Sequence, residues 1–299
     1  MKVGCMRRGL LLWFYAYVYA AVAAGAAGAR TARVKASHHL AELGREMLAT
    51  QHARRCTIQS MGSGHGVHSL CAEFKPARGK RHGSSATATT TTSPSSFSSS
   101  SSPSSSSSPH PPCIFYSYGI SHDYSFDTAM AEEWGCRGVA LDPSVKHPSR
   151  LHANVTFHNI AARTMNATED AQWDLVTTVP GLKKFLGHDR IDVLKMDCEG
   201  CEYALAQDIL LEDPAFLHSV DQLALEIHVS RQWLKTETHA HHLGLLYALA
   251  KEAGLELVET VLGGCHPDRE APGCHPALLQ AGFPCEKGKM CSNLLFARV

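Results

Sequence analysis

An open α/β sheet, mostly parallel with helices on both faces, is the fold class that the sequence predicts, on three observations. Strand-like and helix-like segments alternate from about residue 113 to Val299, which is the pattern of a parallel sheet covered on both sides. Three of the strand-like segments stop abruptly at glycine or a carboxylate: Ile114–Tyr118 before Gly119, Gly138–Leu141 before Asp142, and Asp192–Met196 before Asp197 and Glu199. Ligands in such folds sit beyond the carboxyl ends of the strands. The 299 residues are enough to bury a substantial core.

The N-terminus stands apart from this body. Lys2, Arg7 and Arg8 precede a charge-free run from Gly9 to Ala29 that contains Trp13, Tyr15, Tyr17 and Tyr19 and is long enough to span a bilayer. Ala24-Gly25-Ala26 and Ala27-Gly28-Ala29 also offer small-residue cleavage sites, so residues 1–35 read as a signal anchor or a cleaved signal peptide. Either delivers the C-terminal body to the secretory lumen. The expected location is the ER or Golgi lumen, as a single-pass membrane protein, or outside the cell. The acceptor tripeptides Asn154-Val155-Thr156 and Asn166-Ala167-Thr168 fit that compartment.

Residues 36–82 form the next unit. Leu40, Leu43, Met47 and Leu48 have helical spacing over Ser37–His52, and Cys56 and Cys71 bracket a loop rich in Gly, Ser and His. Residues 83–112 collapse into Ser, Thr, Ala and Pro. Such a run has too little apolar surface to offset the entropy of ordering, so a disordered segment is expected.

Residues 113–299 carry the α/β body. Further strands are expected at Val155–His158, Gln222–His228, Leu255–Val261 and Ser292–Arg298, and helices at Phe126–Trp134, Gly181–Leu186, Glu202–Leu211 and His239–Ala253. Cys265, Cys274, Cys285 and Cys291 crowd the loop before the last strand. The chain holds 11 cysteines, and with the leader in view these pairs read as disulfides rather than zinc ligands. Cys198 and Cys201 have C-x-x-C spacing without thioredoxin-like neighbours, so a structural pair or two buried thiols is expected. His239, His241 and His242 read as the solvated first turn of a helix.

Charge excludes one class of partner. Lys plus Arg equals Asp plus Glu at 28 each, so no broad basic footprint marks a nucleic-acid surface. The chemistry points instead to a nucleoside-containing cofactor. Gly119 lets backbone approach a ligand and the following helix start offers unpaired N–H groups. Asp142 comes 23 residues later, near the offset at which nucleotide-binding α/β folds place a carboxylate on ribose hydroxyls.

Tyr116-Ser117-Tyr118-Gly119-Ile120, Asp123-Tyr124-Ser125-Phe126-Asp127, Leu141-Asp142-Pro143-Ser144 and Ile191–Glu202, taken in order, resemble the methyltransferase-like 24 group and more distantly the FkbM-type O-methyltransferases. The resemblance covers about residues 111–299, with an echo in the segment between Cys56 and Cys71. It implies a Rossmann-like class I sheet with an antiparallel end and S-adenosylmethionine (SAM) as cofactor, bound through Ser117, Gly119, Ile120, Asp123, Asp142, Pro143 and Ser144. Class I enzymes commonly carry two or three glycines and an acid at the first strand tip. This chain offers Ser117 and the single Gly119, which favours the fold more than turnover.

For methyl transfer to an alcohol, the acceptor hydroxyl must lose its proton as the new bond forms, and a carboxylate in reach can take it. Asp197 and Glu199 are the first candidates, on the expectation that strand alternation points them the same way; one of them could instead cap the helix near Glu202. Glu226 and His228 repeat the pattern on the next strand. The four residues together have donor types that suit a divalent ion, but nothing in the sequence fixes their geometry and no metal is expected. The predicted activity is SAM-dependent O-methylation of a small-molecule or glycan hydroxyl on a secretory-pathway or extracellular substrate. The alternative is a non-catalytic methyltransferase-fold binding protein of the endomembrane system, and the membrane is a partner only through an uncleaved N-terminal segment.

Overall fold

The computed structural model describes residues 25–50, 56–75, 112–230, 233–263, 274–284 and 291–299. The charge-free run, apart from Gly25–Ala29, and the Ser/Thr-rich stretch lie outside the described residues, as do Cys265 and Cys285. Among the described residues no helix is long and apolar enough to cross a membrane.

The chain begins with helix α1 (Gly25–Thr50) and a hairpin of β1 (Ile58–Met61) and β2 (His68–Cys71). Next come β3 (Ile114–Tyr118), α2 (Ser125–Glu133), β4 (Arg137–Leu141), β5 (Arg150–His152), β6 (Val155–His158), β7 (Ala161–Ala162), α3 (Ala167–Asp170) and β8 (Val176–Thr177). The second half runs α4 (Val179–Leu186), β9 (Ile191–Met196), α5 (Glu202–Glu212), β10 (Val220–His228), α6 (Glu237–Glu252), β11 (Glu256–Leu262), α7 (Pro276–Gln280) and β12 (Cys291–Ala297). The main sheet has the order β11-β12-β10-β9-β3-β4-β6-β5. Strands β6, β4, β3, β9 and β10 pair in parallel, whereas β12 lies antiparallel between β10 and β11, and β5 lies antiparallel on β6. This is the Rossmann-like arrangement with an antiparallel end that the sequence led us to expect.

Two hydrophobic cores flank the sheet, and strand alternation assigns residues to them. Tyr116, Leu194, Leu223 and Leu225 join the core that contains Leu40, Leu43 and Met47 of α1, Leu205 and Ile209 of α5, and Leu246 of α6. Phe115, Val193 and Ala224 point the other way, toward Phe126, Met130 and Trp134 of α2 and toward Met61 and Leu70 of the hairpin. The second face is thus covered by one helix and a hairpin rather than by helices alone. A disulfide joins Cys56 to Cys71, another joins Cys113 to Cys136, and the backbone N–H of Cys71 donates to the buried Gln222 Oε1 at 2.7 Å. The bond to Gln222 ties the hairpin to the sheet.

Boundaries of the expected strands and helices hold to within a few residues. Helix α1 starts earlier than Ser37, and Leu48, read as part of its apolar stripe, is 46% exposed. His239, His241 and His242 are half-buried rather than solvated, because His239 stacks on Tyr203 and His242 Nδ1 bonds to the Thr238 carbonyl. Cys274 and Cys291 are disulfide-bonded, as are Cys198 and Cys201 with each other.

Candidate active site

Strand β3 pairs with β4 on one side and β9 on the other, so the chain leaves its tip in one direction and returns from the other. In open α/β sheets such a reversal is where ligands bind, beyond the carboxyl ends of the strands. Two groups of polar residues stand at this end of the sheet.

The first group surrounds the β3 and β4 tips. Gly119 has φ +72, and a Cβ there would lie 1.6 Å from the Asp197 carbonyl oxygen. The glycine is required because the loop crosses directly over the end of β9. Ser121 also sits at positive φ, 48°, and its N–H donates to Asp142 Oδ2 at 2.8 Å. The other carboxylate oxygen of Asp142 accepts from the Ser144 N–H at 2.8 Å and the Ser144 hydroxyl at 2.6 Å. Asp123 behaves alike: Oδ2 accepts from the Gly66 N–H at 2.9 Å and Oδ1 from the Ser125 N–H at 3.0 Å. Ser63 and Ser125 add two more bonds between the hairpin and the start of α2.

These contacts alter several expected roles. Ser117 is fully buried within β3, beside Asp127 of α2, because its place in the strand turns it into the core. Ile120 is buried at 3% exposure and packs in the core on the hairpin side. Asp123, Asp142 and Ser144 organise the loops at these tips, and Pro143 lies between the last two. Asp127 carries an unexpected feature. Burial pushes its carboxyl up to about 7, with Lys195 pulling the other way.

The second group occupies the β9 and β10 tips. Lys195 and Asp197 have the parity of Val193, so they face the hairpin side. The Lys195 ammonium is buried and donates to the carbonyls of Tyr118 at 3.2 Å and Gly119 at 2.7 Å. It stands 3.6 Å from Asp197 Oδ2. His68 of β2 reaches the same oxygen at 3.7 Å; its Nε2 is buried and makes no hydrogen bond. On β10, His228 is held by Glu202 at the start of α5, whose Oε1 accepts from both the His228 backbone N–H at 2.9 Å and Nδ1 at 3.1 Å. His228 Nε2 lies 3.4 Å from Glu226 Oε1 and 4.0 Å from Asp197 Oδ1.

Electrostatics separate the members of this group. Burial opposes charge on Asp197, but Lys195, His68 and His228 outweigh it and hold the carboxyl below the usual carboxylate range. For His228 burial is overcome by Glu202 and Glu226, which hold the imidazole well above its ordinary value. Burial depresses His68, with Asp197 opposing. Glu199 is raised by partial burial, against the pull of His228. It does not continue the strand: β9 ends at Met196, and Glu199 sits at φ 55 in the turn before α5, with an exposed side chain. The expected strand alternation of Asp197 and Glu199 therefore gives way to a tight turn. Neither residue caps α5; the Gly200 N–H bonds to Glu202 Oε2.

Three residues at these strand tips are not singled out by the sequence. His68 lies across residues 76–111 from the body and carries no local signal. Glu202 read only as a helix start. Lys195 had one: a lysine within an apolar parallel strand is rarely buried without partners.

Residues 96–243 match a family model described as a methyltransferase domain. A rat protein named "Probable methyltransferase-like protein 24" is 32% identical over 149 residues, covering 47% of this chain and 40% of that protein. The human protein of the same name is 33% identical over 123 residues, covering 39% of this chain and 33% of that protein. The chain thus matches well under half the length of these curated relatives. No solved structure matches.

Proposed function

We propose that this chain, a relative of the methyltransferase-like 24 group, is a SAM-dependent enzyme that methylates a hydroxyl oxygen on a small molecule or glycan of the secretory pathway or the extracellular space. The observation that carries the proposal is the placement of two carboxylates in opposite electrostatic settings at one end of the sheet. Lys195, His68 and His228 hold Asp197 below the usual carboxylate range, whereas desolvation raises Glu199 in the turn before α5, which makes it the stronger base of the two. Paired carboxylates pushed apart in this way divide the work between orientation and proton transfer.

The switch point at β3, with Asp142 on the adjacent tip, fits a nucleoside cofactor. The Gly119–Asp123 loop and the Asp142–Ser144 turn would hold it, and when bound it supplies an electrophilic methyl group. Asp197 orients the acceptor hydroxyl, and Glu199 takes its proton as the oxygen–carbon bond forms. Glu226 and His228 complete the charge balance around Asp197. The disulfides Cys56–Cys71 and Cys113–Cys136 support an oxidising compartment for the protein, in keeping with the ER or Golgi lumen or secretion. The neutral overall charge supports no nucleic-acid partner.

A second reading, a non-catalytic binding protein with this fold, is favoured by the internal bonds that occupy both oxygens of Asp142 and of Asp123. Calorimetry of the full chain with SAM separates the two. Binding with heat in the micromolar range supports the enzyme, and no heat at millimolar SAM overturns it. Expression in a secretory host tests the compartment: an Asn154→Gln, Asn166→Gln double variant should lose a glycosidase-sensitive mass, and a body without glycans would overturn the lumenal location.

A further inference from the structure

Asp197, Glu226 and His228 each direct one ligand atom into a space in which all three atoms lie within 4.8 Å of one another. From this geometry we infer that the β9–β10 tip is a binding site for one divalent first-row transition cation, Mn²⁺ or Zn²⁺, with Asp197 Oδ1, Glu226 Oε1 and His228 Nε2 as protein ligands. Two atoms that each sit about 2.1 Å from one ion are roughly 3–4 Å apart. The separations of 3.4 Å between His228 Nε2 and Glu226 Oε1, and 4.0 Å between His228 Nε2 and Asp197 Oδ1, match this span.

The surroundings are those of a supported metal ligand set. Glu202, fully buried, faces His228 Nδ1 at 3.1 Å, which fixes the ring so that Nε2 faces the two carboxylates. Metal-bound histidines characteristically have a carboxylate on the far nitrogen. The second oxygen of Asp197 faces Lys195 and His68, so Oδ1 is left for the ion. The buried His68 Nε2 lies 3.7 Å from that second oxygen and makes no hydrogen bond. The imidazole of His228 is 6% exposed, while Asp197 and Glu226 are 22% and 14% exposed. The carboxylates thus form the wet side, through which an ion enters and an acceptor hydroxyl could meet it. Mixed carboxylate and imidazole donors suit Mn²⁺ and Zn²⁺ better than Mg²⁺ or Ca²⁺.

The inference concerns the site of the proposed reaction but does not rest on methyl transfer. The test is titration of the full, unreduced chain, stripped with EDTA, with MnCl₂ followed by electron paramagnetic resonance, and with ZnCl₂ followed by calorimetry. One ion per chain is expected, with affinity reduced at least ~10-fold by Glu226→Gln and by ~10–100-fold in Glu202→Gln, which removes only the supporting charge. Thermal melts of the stripped proteins show which variants are folded, and Asp197→Asn provides a third should either fail. Binding absent up to millimolar ion, or unchanged in the folded variants, overturns the site. Ion binding without SAM affinity would sink the enzymatic reading alone, and SAM-dependent transfer by a chain that binds no ion would sink this one alone.

Discussion

The tips of β3 and β4 and the tips of β9 and β10 lie at one end of the sheet, yet they treat their carboxylates in opposite ways. At β3 and β4, Asp123 and Asp142 give every carboxylate oxygen a donor from nearby backbone or hydroxyl at 2.6–3.0 Å. At β9 and β10, Asp197 faces Lys195, His68 and His228 at 3.6, 3.7 and 4.0 Å, beyond hydrogen-bond contact. The first arrangement fixes loops. The second gathers charge without hydrogen-bonding it, the kind of perturbed titration that marks a candidate site.

The largest effect that would break this contrast is on turnover. Asp197→Asn and Glu199→Gln keep the shape of the tip but remove its charges, and single-turnover methyl transfer should fall by roughly 10²–10⁴ while SAM affinity persists. Near-normal transfer in both would move the chemistry to Glu226 and His228.

Asp127 is the exception on the β3 side, a buried carboxyl raised to about 7. Its folded form keeps a proton that the unfolded chain releases near pH 4, so stability falls as pH rises from about 4 to 7. Asp127→Asn should remove that loss, gaining up to about 4 kcal/mol over wild type at pH 8. Urea melts at pH 4.5 and 8 measure it, and equal gains at both would show that the carboxyl is ionised throughout.

Asp142→Ala deletes three bonds that hold the loop and should cost about 1.5–3 kcal/mol, read as a lower urea midpoint. A loss of SAM affinity with unchanged stability would return Asp142 to the ribose contact expected from its spacing.

The smallest effect concerns His68. Its folded value lies below the 6.5 of a free imidazole, so the unfolded chain binds the extra proton and stability declines as pH drops below about 6.5, by at most ~1.4 kcal/mol per pH unit. In His68→Leu that acid-side slope should flatten; an unchanged slope assigns it to other groups.

The sheet was legible because its strands are apolar runs with sharp ends, and β9 began within one residue of its expected start. The antiparallel end came from the family resemblance rather than from periodicity. The hairpin was not legible as strands. Its four-residue members are too short for period-two alternation, and although Cys56 and Cys71 bracket it in the sequence, its anchor on the sheet is Gln222, 151 residues from Cys71. At the site, Asp197, Glu226 and His228 were read correctly as neighbours on adjacent strand tips. Glu199 was misplaced because alternation cannot foresee where a strand stops. Of the cofactor-loop residues drawn from the resemblance, Asp123 and Asp142 accept hydrogen bonds from neighbouring loop residues. The pairing of Glu202 with His228 spans 26 residues and leaves no trace in local pattern.

Strand β12 is the last to be synthesised in the sheet, yet it lies between β10 and β11. Until the ribosome has delivered Cys291–Ala297, β10 and β11 each present an open edge, and the sheet cannot close in the order in which it emerges. Open edges of this kind recruit other chains. The nascent protein therefore depends on being shielded until β12 emerges, and a stop codon just before β12 should yield an aggregate rather than a slightly shortened domain.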